Sequence, residues 1–258
     1  MVAFSGGVDS TFLLAQACAV LGRDVVAATS ISAIHPPDEI VEARRLASRL
    51  GVRHLCLDPE ALFDPAFVRN DVDRCYVCKR RLFSRLRHLA AEQGIDHIAH
   101  GANLDDNADY RPGHRAAGEL GILAPLVDAG LHKDEIRRLS RQMGLDTWNR
   151  PAQACLASRI AYGIKINPQR LGQIAAAEAE LARLGIDGGR VRCHGDMARI
   201  EVPPDAFGDV IEARHHLVSS LKRIGFLFVA LDLEGYVMGS LNRGFDGQPS
   251  VKADPTQA

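Results

Sequence analysis

Ser5-Gly6-Gly7-Val8-Asp9-Ser10 follows the apolar run Val2-Ala3-Phe4 and leads into Thr11-Phe12-Leu13-Leu14-Ala15-Gln16-Ala17-Cys18. That order reads as a short strand, a tight glycine turn and a helix N-terminus. Two adjacent glycines accept backbone angles that other residues resist, so successive N–H groups can face one anion. The first-turn donors of the following helix add to the same positive site. Asp9 would repel a bare phosphate, and its presence there points to a bound divalent cation, Mg²⁺. Gly-Gly alone marks no more than an ordinary strand-to-helix turn; the whole hexamer is more specific. The Gly-Lys-Ser/Thr ending of a Walker loop is absent, so this is a phosphate loop of another kind.

Working outward, a first helix ends near Leu21-Gly22, and Val25 to Thr29 reads as a second buried strand. Its polar continuation from Ser30 to His35 suits the far wall of a nucleotide pocket. Pro37 opens a helix whose inner face is Ile40, Ala43, Leu46, Ala47 and Leu50, and Val52 to Leu57 gives a third strand. Strands without polar faces, alternating with helices, predict an α/β fold: a Rossmann-like parallel sheet covered by helices. Its loops then gather at the carboxyl edge. A helix from Arg74 to about Gln93 and a fourth strand over Ile95 to His100 follow. Gly101-Ala102-Asn103-Leu104-Asp105-Asp106 at that strand's end either faces the nucleotide or caps the next helix. Ile122 to Leu126 is expected as a fifth strand, and Lys133-Asp134-Glu135-Ile136 opens another helix with acids in its first turn. Only four residues precede Ser5, so the first strand is expected to be short and easily frayed.

The composition changes after Pro151. Residues 1–150 are expected to form the nucleotide domain and 151–167 a linker. Residues 168–246 then make a smaller α+β domain, and 247–258 a disordered tail. In the second domain a helix over 168–184 precedes candidate strands Arg190 to His194 and Met197 to Val202. A helix from Phe207 to Ile224 leads to a hairpin of 226–231 with 236–238.

The chain has 258 residues, of which 47% are hydrophobic, enough to bury a real core. Thirty-one basic against 32 acidic residues leave a net charge of -1, which gives no field for a nucleic-acid partner. No apolar run is long enough to span a membrane. Six cysteines are too few for a disulfide scaffold, and no leader is evident, so a reducing cytoplasm is expected.

Cys75 and Cys78 form a Cys-x2-Cys pair, whose spacing lets two thiolates approach one metal or each other. Cys18 and Cys56 fall on buried faces and read as inert core residues, while Cys193 in a strand is ambiguous. Cys155 stands in the non-periodic run Pro151-Ala152-Gln153-Ala154-Cys155-Leu156-Ala157-Ser158-Arg159-Ile160. It is either a packed linker cysteine or, with Arg159 lowering its pKa, a nucleophile.

The hexamer Ser5 to Ser10 resembles the pyrophosphate loop of the ATP pyrophosphatase superfamily, which splits ATP into AMP and pyrophosphate to activate a substrate. With Arg74 to Lys79, Gly101 to Asp106, Asp109 to Gly113, Pro151 to Gly163 and Ala198 to Pro203, residues 1 to about 240 resemble one family within it. These are the ATP-dependent sacrificial sulfur transferases that help build the nickel-pincer cofactor of lactate racemase. The resemblance implies adenylation of a carboxylate of pyridinium-3,5-biscarboxylic acid mononucleotide. A protein cysteine, here Cys155, then attacks the acyl-adenylate. Breaking its C–S bond leaves a thiocarboxylate on the substrate and dehydroalanine in the chain. A second version, implied by related sulfur transferases, places a [4Fe–4S] cluster on Cys75, Cys78 and Cys155, with the open iron carrying sulfide.

The expected site follows from these likenesses. Ser5, Gly6, Gly7, Val8, Asp9, Ser10, Thr29, Ser30, Gly101 and Asn103 would bind ATP, with Mg²⁺ on Asp9. Arg159, Arg190 and Arg192 would take the substrate's phosphate and carboxylates, because a planar guanidinium fork matches both groups. Glu201 would position a ribose hydroxyl or an arginine, and Tyr76 would stack on the pyridinium ring or merely pack. Lys79 is a phosphate candidate; His100 reads as a core-edge residue. The expected partner is the small pyridinium dicarboxylate mononucleotide, without nucleic acid or membrane, bound by a homo-oligomer. Rival readings are a tRNA thiolation enzyme, an amidating synthetase, and a non-catalytic nucleotide-binding regulatory protein. Intact Asp9 and Cys155 count against the last.

Overall fold

The computed structural model describes residues 1–108, 112–151, 154–237 and 239–243. The expected polar tail and residues 109–111 of the Asp109 to Gly113 segment lie outside them. The chain divides into two compact units, the first of residues 1–158 and 165–171, the second of 159–164 and 172 onward. Among the described residues no helix is long and apolar enough to cross a membrane.

The first unit opens with β1 (Val2–Ala3), α1 (Val8–Leu21), β2 (Val26–Ser30), α2 (Pro37–Arg49) and β3 (Arg53–Leu57). It continues through α3 (Pro65–Val68), α4 (Arg74–Glu92), β4 (Ala99–His100), α5 (Pro112–Glu119), α6 (Pro125–Asp128) and α7 (Lys133–Gln142). The sheet runs β3-β2-β1-β4, parallel throughout, with Val2 opposite both Ala27 and Ala99. Side chains alternate across β2. Val25 and Ala27 pack with Phe12, Leu14, Leu46 and Ile136 on one face, and Val26 and Ala28 with Phe83, Leu86 and Ala116 on the other. Both faces are therefore apolar and covered by helices, which is the condition for a wholly parallel sheet. The α/β expectation holds.

β1 is short, as expected, but it is held on both sides. Phe4 N–H donates to Ala28 O at 2.8 Å, Ala99 N–H to Met1 O at 2.9 Å, and the N-terminal ammonium to His97 O at 2.7 Å. β4 contains two residues, Ala99 and His100 opposite β1, rather than the six of Ile95 to His100. The expected fifth strand is not one. Leu123 makes a single bridge to Ala99, and Pro125, which lacks an N–H, starts α6 instead.

The second unit contains α8 (Pro168–Arg183) from Gly172 on, β5 (Arg190–His194), β6 (Met197–Glu201), α9 (Phe207–Glu212), α10 (Arg214–Ile224) and β7 (Phe228–Leu231). β5 and β6 pair antiparallel, as expected. Two corrections apply. The single helix over 207–224 is broken at Ala213, and β7 forms no hairpin with 236–237 but pairs parallel to β6. α9 and α10 together act as the crossover that a parallel pair requires. Met238 lies outside the described residues.

Candidate functional site

All four strands of the first unit point their carboxyl ends to one edge, so β1 delivers Ser5 to Ser10 where β2 and β4 end. Gly6 has φ +76°, a left-handed conformation that a side chain would strain. Gly7 is the N-cap of α1, and its carbonyl accepts the Thr11 N–H at 3.0 Å. Ser10 Oγ closes the turn: it accepts from Ser5 N–H at 3.3 Å, lies 3.1 Å from Ser5 Oγ and reaches Gly7 O at 3.3 Å. The loop is thus shaped internally, leaving first-turn N–H groups of α1 for an anion.

Gly101 abuts this turn. A Cβ there would lie 2.8 Å from Ser10 N and 3.0 Å from Ser10 Cα, backbone atoms that cannot swing aside. Gly101→Ala is therefore expected to lower kcat/KM for ATP at least about ten-fold by displacing the α1 N-terminus. It should also cost about 1–3 kcal/mol of stability. Steady-state kinetics and thermal melts measure both, and unchanged kinetics would detach Gly101 from the site.

Asp9, in the first turn of α1, has two different oxygens. Oδ2 accepts from Lys133 Nζ at 2.5 Å, while Oδ1 is buried without a hydrogen-bond partner among the described residues. A buried carboxylate oxygen left unpaired is costly, and a divalent cation satisfies it. The donor set fits Mg²⁺. Sequence reasoning missed Lys133, 124 positions away, although a lysine opening a helix opposes the helix dipole and so signals employment elsewhere. Asp105 sets its place, accepting the Lys133 N–H at 2.8 Å.

The other expected nucleotide residues divide. Ser30 Oγ, at the end of β2, is buried and has no hydrogen-bond partner among the described residues. Thr29 Oγ1 instead donates to Phe4 O at 2.8 Å and lies 2.7 Å from His54 Nε2, so it serves the sheet. Asn103 is buried, and its Oδ1 accepts from Asp105 N–H at 3.0 Å and Asp106 N–H at 3.3 Å. The capping alternative describes that side chain.

His100 ends β4 beside Phe83 and His114. Burial, then the charges of Lys79 and His114, push its pKa down to about 4. The unfolded chain protonates it near 6.5, so this contribution to stability is complete above pH 6.5 and lost as pH falls toward 4. The loss amounts to about 2–4 kcal/mol by linkage. His100→Gln should flatten that acid limb in denaturant titrations; an unchanged slope would contradict it.

Cys75, Cys78 and Cys155 all lie in the first unit and act on one another electrostatically. Burial, then the neighbouring Cys155, pushes Cys78 up to about 12, and the same two causes raise Cys75 against the opposing charges of Arg74 and Lys79. Among the described residues, however, no three His, Cys, Asp or Glu side chains are arranged to hold a metal ion. The cluster version of the expectation therefore has no ligand set among the described residues. Cys155 is half-buried, its carbonyl accepts from Ser158 Oγ at 2.7 Å, and the next amide, Leu156 N–H, donates to Ile34 O at 2.8 Å. Tyr76 is committed: Arg115 covers its ring at 4.0 Å and its hydroxyl donates to Glu119 at 2.6 Å.

In the second unit, Arg159 is buried and pairs with Glu178 at 3.0 Å. Arg190 donates to Gly189 O at 2.9 Å and lies over Tyr236. Glu201, fully buried, receives Arg192 Nε at 2.8 Å, Arg199 Nη2 at 2.7 Å and Ser240 Oγ at 3.0 Å. Its two oxygens are thus shared between two arginines. Removing its charge strands two guanidinium groups, so Glu201→Gln should destabilise by about 3–5 kcal/mol in urea unfolding. A cost below about 1 kcal/mol would class the network with exposed pairs. Arg199, His194, Tyr162, Ser240 and Arg243 line a cleft of about 390 Å³ in this unit.

A glycine loop leading into a helix at the carboxyl edge of a parallel sheet, with an acid in its first turn, defines a PP-loop nucleotide site. No protein-family model matches the chain. It is 40% identical over 245 residues to an uncharacterized protein of Synechocystis sp., covering 94% of this chain and 91% of that one. It is 37% identical over 242 residues to the pyridinium-3,5-bisthiocarboxylic acid mononucleotide synthase of Lactiplantibacillus plantarum, covering 93% and 88%. A tRNA-specific 2-thiouridylase of Rickettsia africae is more distant, 29% identical over 189 residues, 58% of this chain and 51% of that one. The chain belongs to the PP-loop ATP pyrophosphatase superfamily, in the family of ATP-dependent sulfur transferases that contains the synthase. It is an ATP-using enzyme of adenylation and sulfur transfer on a nucleotide substrate.

Proposed function

We propose that the enzyme adenylates a carboxylate of pyridinium-3,5-biscarboxylic acid mononucleotide and converts it to a thiocarboxylate with sulfur from Cys155. The observation carrying this reading is the likeness over 93% of the chain to a synthase of the bisthiocarboxylic acid mononucleotide. A Mg²⁺ ion on Asp9 would supply charge compensation as pyrophosphate leaves. The loop N–H groups from Ser5 to Ser10 orient the polyphosphate, Lys133 holds Asp9, and Ser30 and Gly101 border the site.

The substrate carboxylate attacks the α-phosphorus of ATP, giving acyl-adenylate and pyrophosphate. Cys155 Sγ attacks the acyl carbon, AMP leaves with the electron pair, and a thioester forms. Loss of the Cys155 Cα proton then breaks its Cβ–S bond, leaving dehydroalanine in the chain and thiocarboxylate on the product. No oxidant or reductant is required. No step is routed through a [4Fe–4S] cluster, since the three cysteines do not form its ligand set among the described residues. Arg159, Arg190 and Arg192 are assigned to the substrate's phosphate and carboxylates, joined by Arg199, which lines the cleft and shares Glu201 with Arg192.

Pyrophosphate release tests the substrate. It should depend on the pyridinium dicarboxylate mononucleotide and not on tRNA or ammonia. Release driven by tRNA would favour the thiouridylase reading, release driven by ammonia an amidating synthetase.

A further inference from the structure

Arg150 bridges the nucleotide loop and α2, five residues ahead of Cys155. Its Nη1 donates to Gly6 O at 3.1 Å, and its Nη2 pairs with Glu42 of α2. Glu42 is gripped a second time by Arg45 at 2.6 Å, and its carboxyl pKa is lowered to about 2, by the Arg45 hydrogen bond first and against burial. The acid holding Arg150 is thus firmly ionised. Arg150's backbone is fixed independently: Arg137 of α7 donates to Arg150 O at 2.7 Å and to Trp148 O at 2.8 Å. The same helix supplies Lys133 to Asp9. Five residues beyond Arg150 stands Cys155, anchored on its other side where Leu156 N–H meets Ile34 O.

We propose that Arg150 is a positioning residue that ties the ATP-cleaving loop to the Cys155 segment, so that pyrophosphate release and sulfur delivery stay coupled. The inference rests on Cys155 as sulfur donor. Gly6 is the left-handed residue of the loop, and its carbonyl direction follows the peptide that polyphosphate binding would load. A guanidinium reaching both that carbonyl and Glu42 fixes Arg150, five residues before Cys155, relative to the loop. Without it the acyl-adenylate still forms, but the sulfur sits out of line. Water then competes, returning carboxylate and AMP while Cys155 stays intact. Small misplacements suffice, since near-attack geometry is sensitive to about 1 Å.

The test is a partition ratio in single turnover of the full chain: dehydroalanine at Cys155, by intact mass and peptide mapping, per pyrophosphate released. Arg150→Gln should lower that ratio about ten-fold or more. Arg150→Lys, which reaches Gly6 O or Glu42 but not both, should restore part of it. Glu42→Gln should lower it less than Arg150→Gln does. A merely structural role would reduce both products together, so an unchanged ratio in Arg150→Gln overturns the inference. If Arg150→Gln does not fold, Arg150→Lys and Glu42→Gln take its place, and an unchanged ratio in both overturns the inference. The native chain separates the underlying reading: pyrophosphate release with no dehydroalanine there removes Cys155 as donor and the coupling with it.

Discussion

Asp9→Asn is expected to cut substrate-dependent pyrophosphate release by about 10²- to 10³-fold without unfolding the chain. Asparagine keeps the shape of the side chain but loses the charge that both Lys133 and a bound cation require. Lys133 Nζ sits 2.5 Å from Oδ2, and the buried Oδ1 has no hydrogen-bond partner among the described residues. The amide would weaken the Lys133 contact and give a cation only a neutral oxygen. Melting should change little, because partly exposed pairs contribute at most about 1 kcal/mol. A rate loss below about three-fold would place the cation elsewhere.

Cys155→Ala is expected to abolish thiocarboxylate formation while ATP is still split to AMP and pyrophosphate. Without the thiol, water is the only acceptor for the acyl-adenylate, so the carboxylate is regenerated and ATP consumed in vain. Cys75→Ser and Cys78→Ser distinguish this from a cluster mechanism. If Cys155 gives up its own sulfur, neither replacement prevents the first transfer; if a cluster on the three cysteines supplies it, each does. Quantifying thiocarboxylate per chain in all three variants decides the matter. Product from Cys155→Ala would contradict the account.

The sheet was readable because burial on both faces leaves an apolar run with no polar alternation, as at Val25 to Thr29. The loop was readable because its hexamer is local. What escaped depends on partners distant in sequence. β4 pairs with β1, a strand that comes more than ninety residues earlier, over Ala99 and His100 alone, so the apolar pattern of Ile95 to His100 overstated it. The parallel placing of β7 follows from a helical crossover, whereas the Gly235 turn suggested a hairpin. Lys133 and Arg150 act on Asp9 and Gly6 from 124 and 144 positions away, and no spacing rule reaches so far. Thr29 was expected at the nucleotide because it stands at a strand end, yet its hydroxyl faces Phe4 and His54. Polar residues at a carboxyl edge are candidates by position; which of them are already spent on the fold is decided by neighbours the sequence does not place.

The most direct test is the mass of the intact native protein after one turnover with ATP, Mg²⁺ and the pyridinium dicarboxylate mononucleotide. The account predicts loss of the elements of H₂S from the chain, mapped to Cys155, in proportion to thiocarboxylate formed. An unchanged mass with repeated turnover, accompanied by a brown chromophore under anaerobic conditions, would contradict it.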